Sequence, residues 1–133
     1  MRIELRTERR EQLVDITAEV RRIVGASGVT DGTVLIYCTH TTAGVTINEA
    51  ADPDVCADIL VGLTRLVPEH SGWRHAEGNS DAHIKATIVG ASALVPVIAG
   101  ELALGTWQGI FFCEFDGPRR RSLLVTVSGE KHS

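Results

Sequence analysis

Six stretches of this chain read as β-strands, and their order constrains the fold more than any other feature. RIELRT (2–7) alternates charged and aliphatic residues with a period of two, which suits a strand with one wet face. DGTVLIYCT (31–39) is a β-branched and aromatic run behind an Asp-Gly pair that reads as a turn, and GVTINE (44–49) continues extended past a kink at HTTAG (40–44). ALVPVIAG (93–100) is extended, with Pro96 pointing to an edge. TWQGIFFCEF (106–115) and RRSLLVTVSG (120–129) flank the turn sequence DGPR, so the chain is expected to close with a hairpin.

Helical signals interrupt these runs. DITAEVRRIVGASG (15–28) offers Asp15 or Thr17 as a cap, Val20, Ile23 and Val24 as a stripe, and Gly25 as a stop. DPDVCADILVGLTRLVP (52–68) has Asp52 as cap, Pro53 at the first helical position, and Val55, Ile59, Leu63 and Leu66 on one face. DAHIKATIVGASA (81–93) reads as a third helix with Asp81 as its cap. Strands and helices mix without strict βαβ alternation and without repeats. The expected fold class is α+β, a mixed, mainly antiparallel, sandwich-like sheet with two to three helices, in a single domain over residues 1–133.

Composition excludes several functions. A net charge of −4 provides no basic field for a nucleic-acid backbone or an anionic membrane, so neither is expected as a partner. The N-terminal MRIELRTERREQ lacks an apolar core, and the longest uncharged run, 86–100, is broken by Gly90 and Pro96, so a cytoplasmic protein is expected. Cys38, Cys56 and Cys113 are too few and too widely spaced for a disulfide framework or a zinc ribbon, and read as buried thiols. Phosphate-binding G-x-x-x-x-G-K-[ST], dinucleotide G-x-G-x-x-G, G-x-S-x-G and H-E-x-x-H motifs are absent.

The chemistry-bearing residues fall into four groups. HSGWRHAEGNSDAH (70–83) carries three of the chain's five histidines beside Glu77, Asn79 and Asp81. Neutral imidazoles bind borderline cations such as zinc, and His75, His83 and, through the tertiary fold, His40 are candidate ligands; surface loop histidines fit the same pattern. THTTAGVTINE (39–49) places His40, Thr41 and the pair Asn48 and Glu49 at the ends of apolar runs, as a pocket lining or as a Thr-rich strand. In DGPRRR, Arg119 and Arg121 share one face of a strand and can grip a phosphate, with Arg120 on the opposite face; a solvated basic turn has the same sequence. Trp107 and Gln108, between glycines, can stack on and hydrogen-bond a planar ring or simply belong to the interior.

In order, CTHTTAGVTINEAADPDV (38–55), LVPEHSGWRHAEGNSDAHIKATIVGAS (66–92) and GELALGTWQGIFFCEFDGPRRR (100–121) closely resemble the YjbQ-like family, whose members are called secondary thiamine-phosphate synthases. The resemblance implies an α+β subunit in a homotrimer, polar pockets near subunit boundaries, and a histidine cluster on His40, His75 and His83 that looks like a metal site; His70 lies outside the pattern. The implied reaction joins a pyrimidine-methyl pyrophosphate to a thiazole phosphate and releases pyrophosphate, as a main or a side activity. The expected cofactor is a divalent metal, zinc or, with pyrophosphate, magnesium. Arg119 and Arg121 would grip a small phosphorylated substrate, with Thr41, Asn79, Trp107 and Gln108 also binding it. Asn48, Glu49 and Glu114 are the catalytic candidates. Two alternatives remain at this point: a metal-dependent hydrolase with Glu49 or Glu114 as general base, and a binding or assembly module without turnover.

Overall fold

A computed structural model describes residues 1–132. The described residues form β1 (Arg2–Arg6), β2 (Gln12–Asp15), α1 (Thr17–Ser27), β3 (Val29–Cys38), β4 (Ala43–Glu49), α2 (Pro53–Leu66), α3 (Ser80–Val89), β5 (Ser92–Ile98), β6 (Glu101–Leu102), β7 (Gln108–Glu114) and β8 (Arg120–Lys131). A large sheet runs β1-β8-β3-β5-β6 and a small one β2-β7-β4, and every pairing is antiparallel. The expected α+β class, with mainly antiparallel sheets and three helices, is what the chain adopts.

Burial explains the layering. Inward residues of the large sheet, Val34, Ile36, Val95, Leu123 and Val125, meet Val45, Ile110 and Phe112 of the small sheet and Val20, Ile23 and Val24 of α1 in one core. On the other side of the small sheet, Cys113 and Phe115 pack with Ala82 and Ala86 of α3, against half-buried Leu60 and Leu63 of α2. The small sheet is therefore the middle layer. This is why its central strand β7 carries the unbroken run Ile110-Phe111-Phe112-Cys113 instead of alternating: both of its faces are covered.

Several local expectations change. DGPR does not close a hairpin; β7 belongs to the small sheet and β8 to the large one, so the turn carries the chain from one layer to the other. Asp31-Gly32 lies inside β3, where a register shift after Val29 brings Gly32 against Gly129; a Cβ on Gly32 would sit 1.9 Å from the Ser128 carbonyl oxygen. Helix α1 runs through Gly25 and stops at Gly28, whose φ of 75° is the left-handed end that glycine favours. Neither Asp15 nor Thr17 is the cap of α1: Ile16 precedes the helix without a side-chain cap bond, Thr17 is its first residue, and Asp15 one position earlier accepts from the Thr17 amide at 2.9 Å and its hydroxyl at 2.6 Å. Asp52 and Pro53 begin α2 as read, but Asp81 does not cap α3; Asn79 precedes the helix and Asp81 turns inward. Pro96 stands opposite Thr33 of β3, and β5 is not itself the edge that Pro96 suggested: the two-residue β6 lies beyond it, and the Ala103 amide donates to the Pro96 carbonyl at 2.9 Å. Cys38 and Cys113 are buried and Cys56 half-buried, all as free thiols. No helix among the described residues is long and apolar enough to cross a membrane.

Candidate functional site

Where β3 ends, the HTTA segment crosses from the large sheet to the small one, and the β7–β8 turn crosses back beside it. The two crossings and the start of α3 enclose a polar cleft of about 390 Å³, lined by Thr39, His40, Thr41, Thr42, Glu77, Asn79, His83, Asp116, Arg119 and Arg121. Six expected site residues, His40, His83, Thr41, Asn79, Arg119 and Arg121, thus meet in one place.

Beneath the cleft lies a buried ion pair. Arg121 donates from Nε and Nη2 to Glu114, and from Nη2 to the Thr42 hydroxyl at 2.9 Å; Thr7 adds a hydroxyl bond of 2.7 Å to Glu114. Arg121 is 4% exposed and Glu114 0%. Burial alone would push the Glu114 carboxyl up, but the bonds from Arg121 and Thr7 outweigh it and hold it below the ordinary carboxylate value. Glu114 is therefore an anion locked under the cleft, with no open side from which to act as a base. Arg121 is committed to the scaffold: it ties β8 to β7 and fixes the segment that carries His40.

The groups above the pair remain available. Asp116 Oδ2 accepts from Asn79 Nδ2 at 2.9 Å and from Arg119 Nη2 at 3.0 Å, orienting both side chains. Arg119 is 51% exposed at its side chain, so its guanidinium meets solvent at the cleft mouth. Asn79 Oδ1 is buried there with no hydrogen-bond partner among the described residues. Arg119 and Arg121 line this cleft and Arg120 does not; Arg120 lines a second cleft, which the buried Arg121 borders as well.

The histidines divide. His75 and His83 lie edge to face with ring centroids 5.5 Å apart. His40 Nε2 accepts the Ser122 amide at 3.0 Å, and burial together with the nearby Arg121 pushes its pKa below the usual imidazole value. The neutral ring then carries its proton on Nδ1, which makes His40 a hydrogen-bond donor with no lone pair left for a metal. Among the described residues no three His, Cys, Asp or Glu side chains converge as a metal site. The donor chemistry suits zinc, but the three imidazoles do not assemble as a ligand set in this arrangement.

Asn48, Glu49, Trp107 and Gln108 gather elsewhere, in a shallow cleft of about 330 Å³ at the far end of β4. Asn48 Oδ1 accepts the Glu49 amide at 2.7 Å and Glu49 Oε2 accepts the Ala51 amide at 3.0 Å, shaping the turn into α2. Trp107 is 64% exposed and not an interior residue. The seven residues of β4 separate the two clefts by about 20 Å at a strand rise of about 3.4 Å per residue.

Sequence reasoning passed over Thr7, Asp116 and a buried charge network under α3. Lys85, 0% exposed, reaches Asp81 at 3.0 Å and Glu11 at 3.3 Å, while Arg10 holds Asp81 through both guanidinium nitrogens at 3.0 and 3.2 Å. The spacing of Asp81 and Lys85, four residues apart on a helix, was the available signal. The network docks α3 on the β1–β2 loop and so sets the position of His83 and Asn79.

The family model described as UPF0047 protein YjbQ-like matches residues 1–130. A UPF0047 protein of Methanocaldococcus jannaschii is 52% identical over 128 residues, covering 96% of this chain and 93% of that protein. The UPF0047 protein YugU of Bacillus subtilis is also 52% identical, covering 96% and 97%. A crystal structure of an uncharacterized conserved protein of the yjbq/upf0047 family from Clostridium acetobutylicum superposes with a TM-score of 0.95 at 50% identity, covering 96% of this chain and 99% of that one. A protein of unknown function from Sulfolobus solfataricus superposes with a TM-score of 0.95 at 38% identity, covering 98% and 96%. With the family model spanning nearly every residue and the fold shared along the whole chain, this protein belongs to the YjbQ-like UPF0047 family.

Proposed function

We propose that the cleft between His40, Asn79, His83 and Arg119 is the active site of a transferase for small phosphorylated substrates. The finer reading is thiamine-phosphate synthesis, joining a pyrimidine-methyl pyrophosphate to a thiazole phosphate with release of pyrophosphate. One observation carries the proposal: the exposed Arg119 guanidinium, the imidazoles of His40 and His83 and the Thr39, Thr41 and Thr42 hydroxyls line one cleft, in which Asp116 is paired with Arg119 and the Glu114 carboxylate beneath is neutralised by Arg121. Such donors stabilise a departing pyrophosphate and need no proton from the nucleophile. The finer reaction rests on the family resemblance.

A hydrolytic reading needs a carboxylate base. Of the two bases expected for it, Glu114 is locked in its ion pair and Glu49 lies at the other end of β4; of the carboxylates that line the cleft, Asp116 is held by Asn79 and Arg119, which leaves Glu77 as the base a hydrolase would have to use. A divalent metal, zinc or magnesium, belongs to the same proposal. His75 and His83 are its nearest donor pair, and His40 joins them only by giving up Ser122. The ion would neutralise charge on the pyrophosphate; the roles given to the chain's own residues do not depend on it.

A homotrimer is also part of the proposal. Its support is the outer face of the large sheet, where Leu35, Tyr37, Leu94, Ile98 and Leu124 stand exposed with no helix over them. Assembly also offers Asn48, Glu49, Trp107 and Gln108 a route to the substrate, from a neighbouring copy across the distance that separates the two clefts in one subunit. The test is to incubate purified protein with the two phosphorylated precursors and look for thiamine phosphate by mass spectrometry. The expected result is product formation by the wild type, reduced about 10²-fold or more in Arg119→Ala. Folded wild-type protein giving no product, with and without added zinc or magnesium, would overturn the reading.

A further inference from the structure

A second concave surface lies across the His40 ring from the cleft just described. It measures about 420 Å³ and is lined by Arg2, Glu4, Leu5, Arg6, His40, Arg120, Arg121 and Ser122. Strand alternation puts Arg2, Glu4 and Arg6 on the outward face of β1, while Ile3 is buried beneath them. In the β1–β8 ladder, Arg6 stands directly opposite Arg120, and Glu4 opposite Ser122.

Two like charges facing each other across a ladder destabilise it. The chain is acidic overall, with 17 Asp and Glu against 13 Lys and Arg, so carboxylates to relieve such a pair are not scarce. Yet among the described residues no carboxylate comes within ion-pair distance of Arg2, Arg6 or Arg120, and Arg2 instead reaches over to the Ser122 hydroxyl at 3.5 Å. Arg121 below is paired with Glu114 and the His40 ring is occupied by the Ser122 amide, so the charged side chains left to the cleft are three guanidiniums and the single carboxylate of Glu4.

We propose that this cleft is an anion site that takes a phosphate dianion, either free phosphate or the phosphate end of a small metabolite. Its net charge of two positive units, three from Arg2, Arg6 and Arg120 less one from Glu4, matches that of the dianion. Guanidiniums on neighbouring strands suit fork-like contacts to its oxygens, and a bound phosphate removes the Arg6–Arg120 repulsion. The site is separate from the proposed active site: Arg119 and Asn79 do not line it, and Arg2, Arg6 and Arg120 do not line the other cleft. It stands whether or not the transferase reading does.

The test is calorimetric titration of the intact protein with inorganic phosphate at fixed ionic strength, on wild type, Arg6→Gln/Arg120→Gln, Arg2→Gln and Arg119→Gln. The expected result is a phosphate site on the wild type whose affinity falls at least about ten-fold in the double variant, falls also in Arg2→Gln, and persists in Arg119→Gln. Without phosphate the double variant should melt no lower than wild type, because the like-charge pair is gone, and phosphate should raise the wild-type melting temperature more than its own. A phenyl phosphate titration separates the sources: binding comparable to phosphate identifies a site that admits a phosphate ester, and binding of phosphate alone identifies a site for the free ion. Phosphate binding unchanged in the double variant would overturn the proposal, as would stabilisation reproduced by chloride at matched ionic strength. Binding abolished by Arg119→Gln and by no other variant would reject this site and leave the active-site proposal intact.

Discussion

Arg119, Arg120 and Arg121 are consecutive residues with three different environments. Arg119 meets solvent at the cleft mouth, Arg120 faces the outer surface, and Arg121 is buried against Glu114. Alternation along a strand predicts that 119 and 121 share a side, and they do; it does not say which of them is free, because that depends on where the partner strand places a carboxylate. The consequence is a split between stability and binding. Arg121→Ala leaves Glu114 buried without its partner and should cost about 3–5 kcal/mol in urea unfolding, whereas Arg119→Ala should change stability by less than about 1 kcal/mol. Comparable losses of stability in both would contradict the assignment. Glu114 also sets a pH dependence. Its folded pKa lies below the ordinary value of 4.5, so its contribution is fully present above that value and is lost as pH falls through the lower folded one. Stability measured from about pH 5 to pH 3 should therefore fall less steeply in Glu114→Gln than in wild type, although the variant starts lower.

The elements were legible where local chemistry decides them. Asp52-Pro53 opens α2 and the β-branched run of residues 33–38 forms β3, because a cap and a pleated surface are properties of a few adjacent residues. The β7–β8 connection was not legible as a layer crossing, since a turn sequence reads the same whether the following strand pairs with its predecessor or leaves for another sheet. The unbroken IFFC run held the missing signal, a strand covered on both faces. Gly25 reads as a helix stop from its neighbours alone, yet α1 passes through it and ends at Gly28, whose φ of 75° closes the helix. The contact between α3 and β4 is similarly non-local: Val45 donates its amide to the Gly90 carbonyl at 3.1 Å, and a Cβ on Gly44 would lie 2.5 Å from the same oxygen. Gly44→Ala should thus push the end of α3 away and destabilise the protein by about 1–3 kcal/mol, read by thermal unfolding. An unchanged melting temperature would show that this approach is not a constraint.

For the molecule as a whole, the sandwich leaves one broad surface without a partner. Leu94 and Ile98 are 63% and 60% exposed on the outer side of the large sheet, and Leu66 and Val61 are exposed on α2, a helix with no buried residue. A solvated antiparallel face ordinarily alternates to polar residues, and this one does so only in part. If the sheet face is the assembly surface, Leu35→Glu/Leu94→Glu should convert an assembled species to a monomer in sedimentation at micromolar concentration while the fold persists by circular dichroism; unchanged sedimentation would place the interface elsewhere. The candidate site was legible residue by residue, through motifs such as H-T-T-A-G and D-G-P-R, yet its division into two clefts was not, because the length of β4 that separates Glu49 from His40 becomes a distance only once the strand is known to run straight. The cleft around Arg119 is the proposed place where a phosphorylated substrate binds. Calorimetric titration with a thiazole phosphate on the Arg6→Gln/Arg120→Gln background, which removes the second anion cleft, tests this most directly: one site per subunit, weakened about ten-fold or more by adding Arg119→Ala, is the predicted result. Affinity unchanged by adding Arg119→Ala would contradict it.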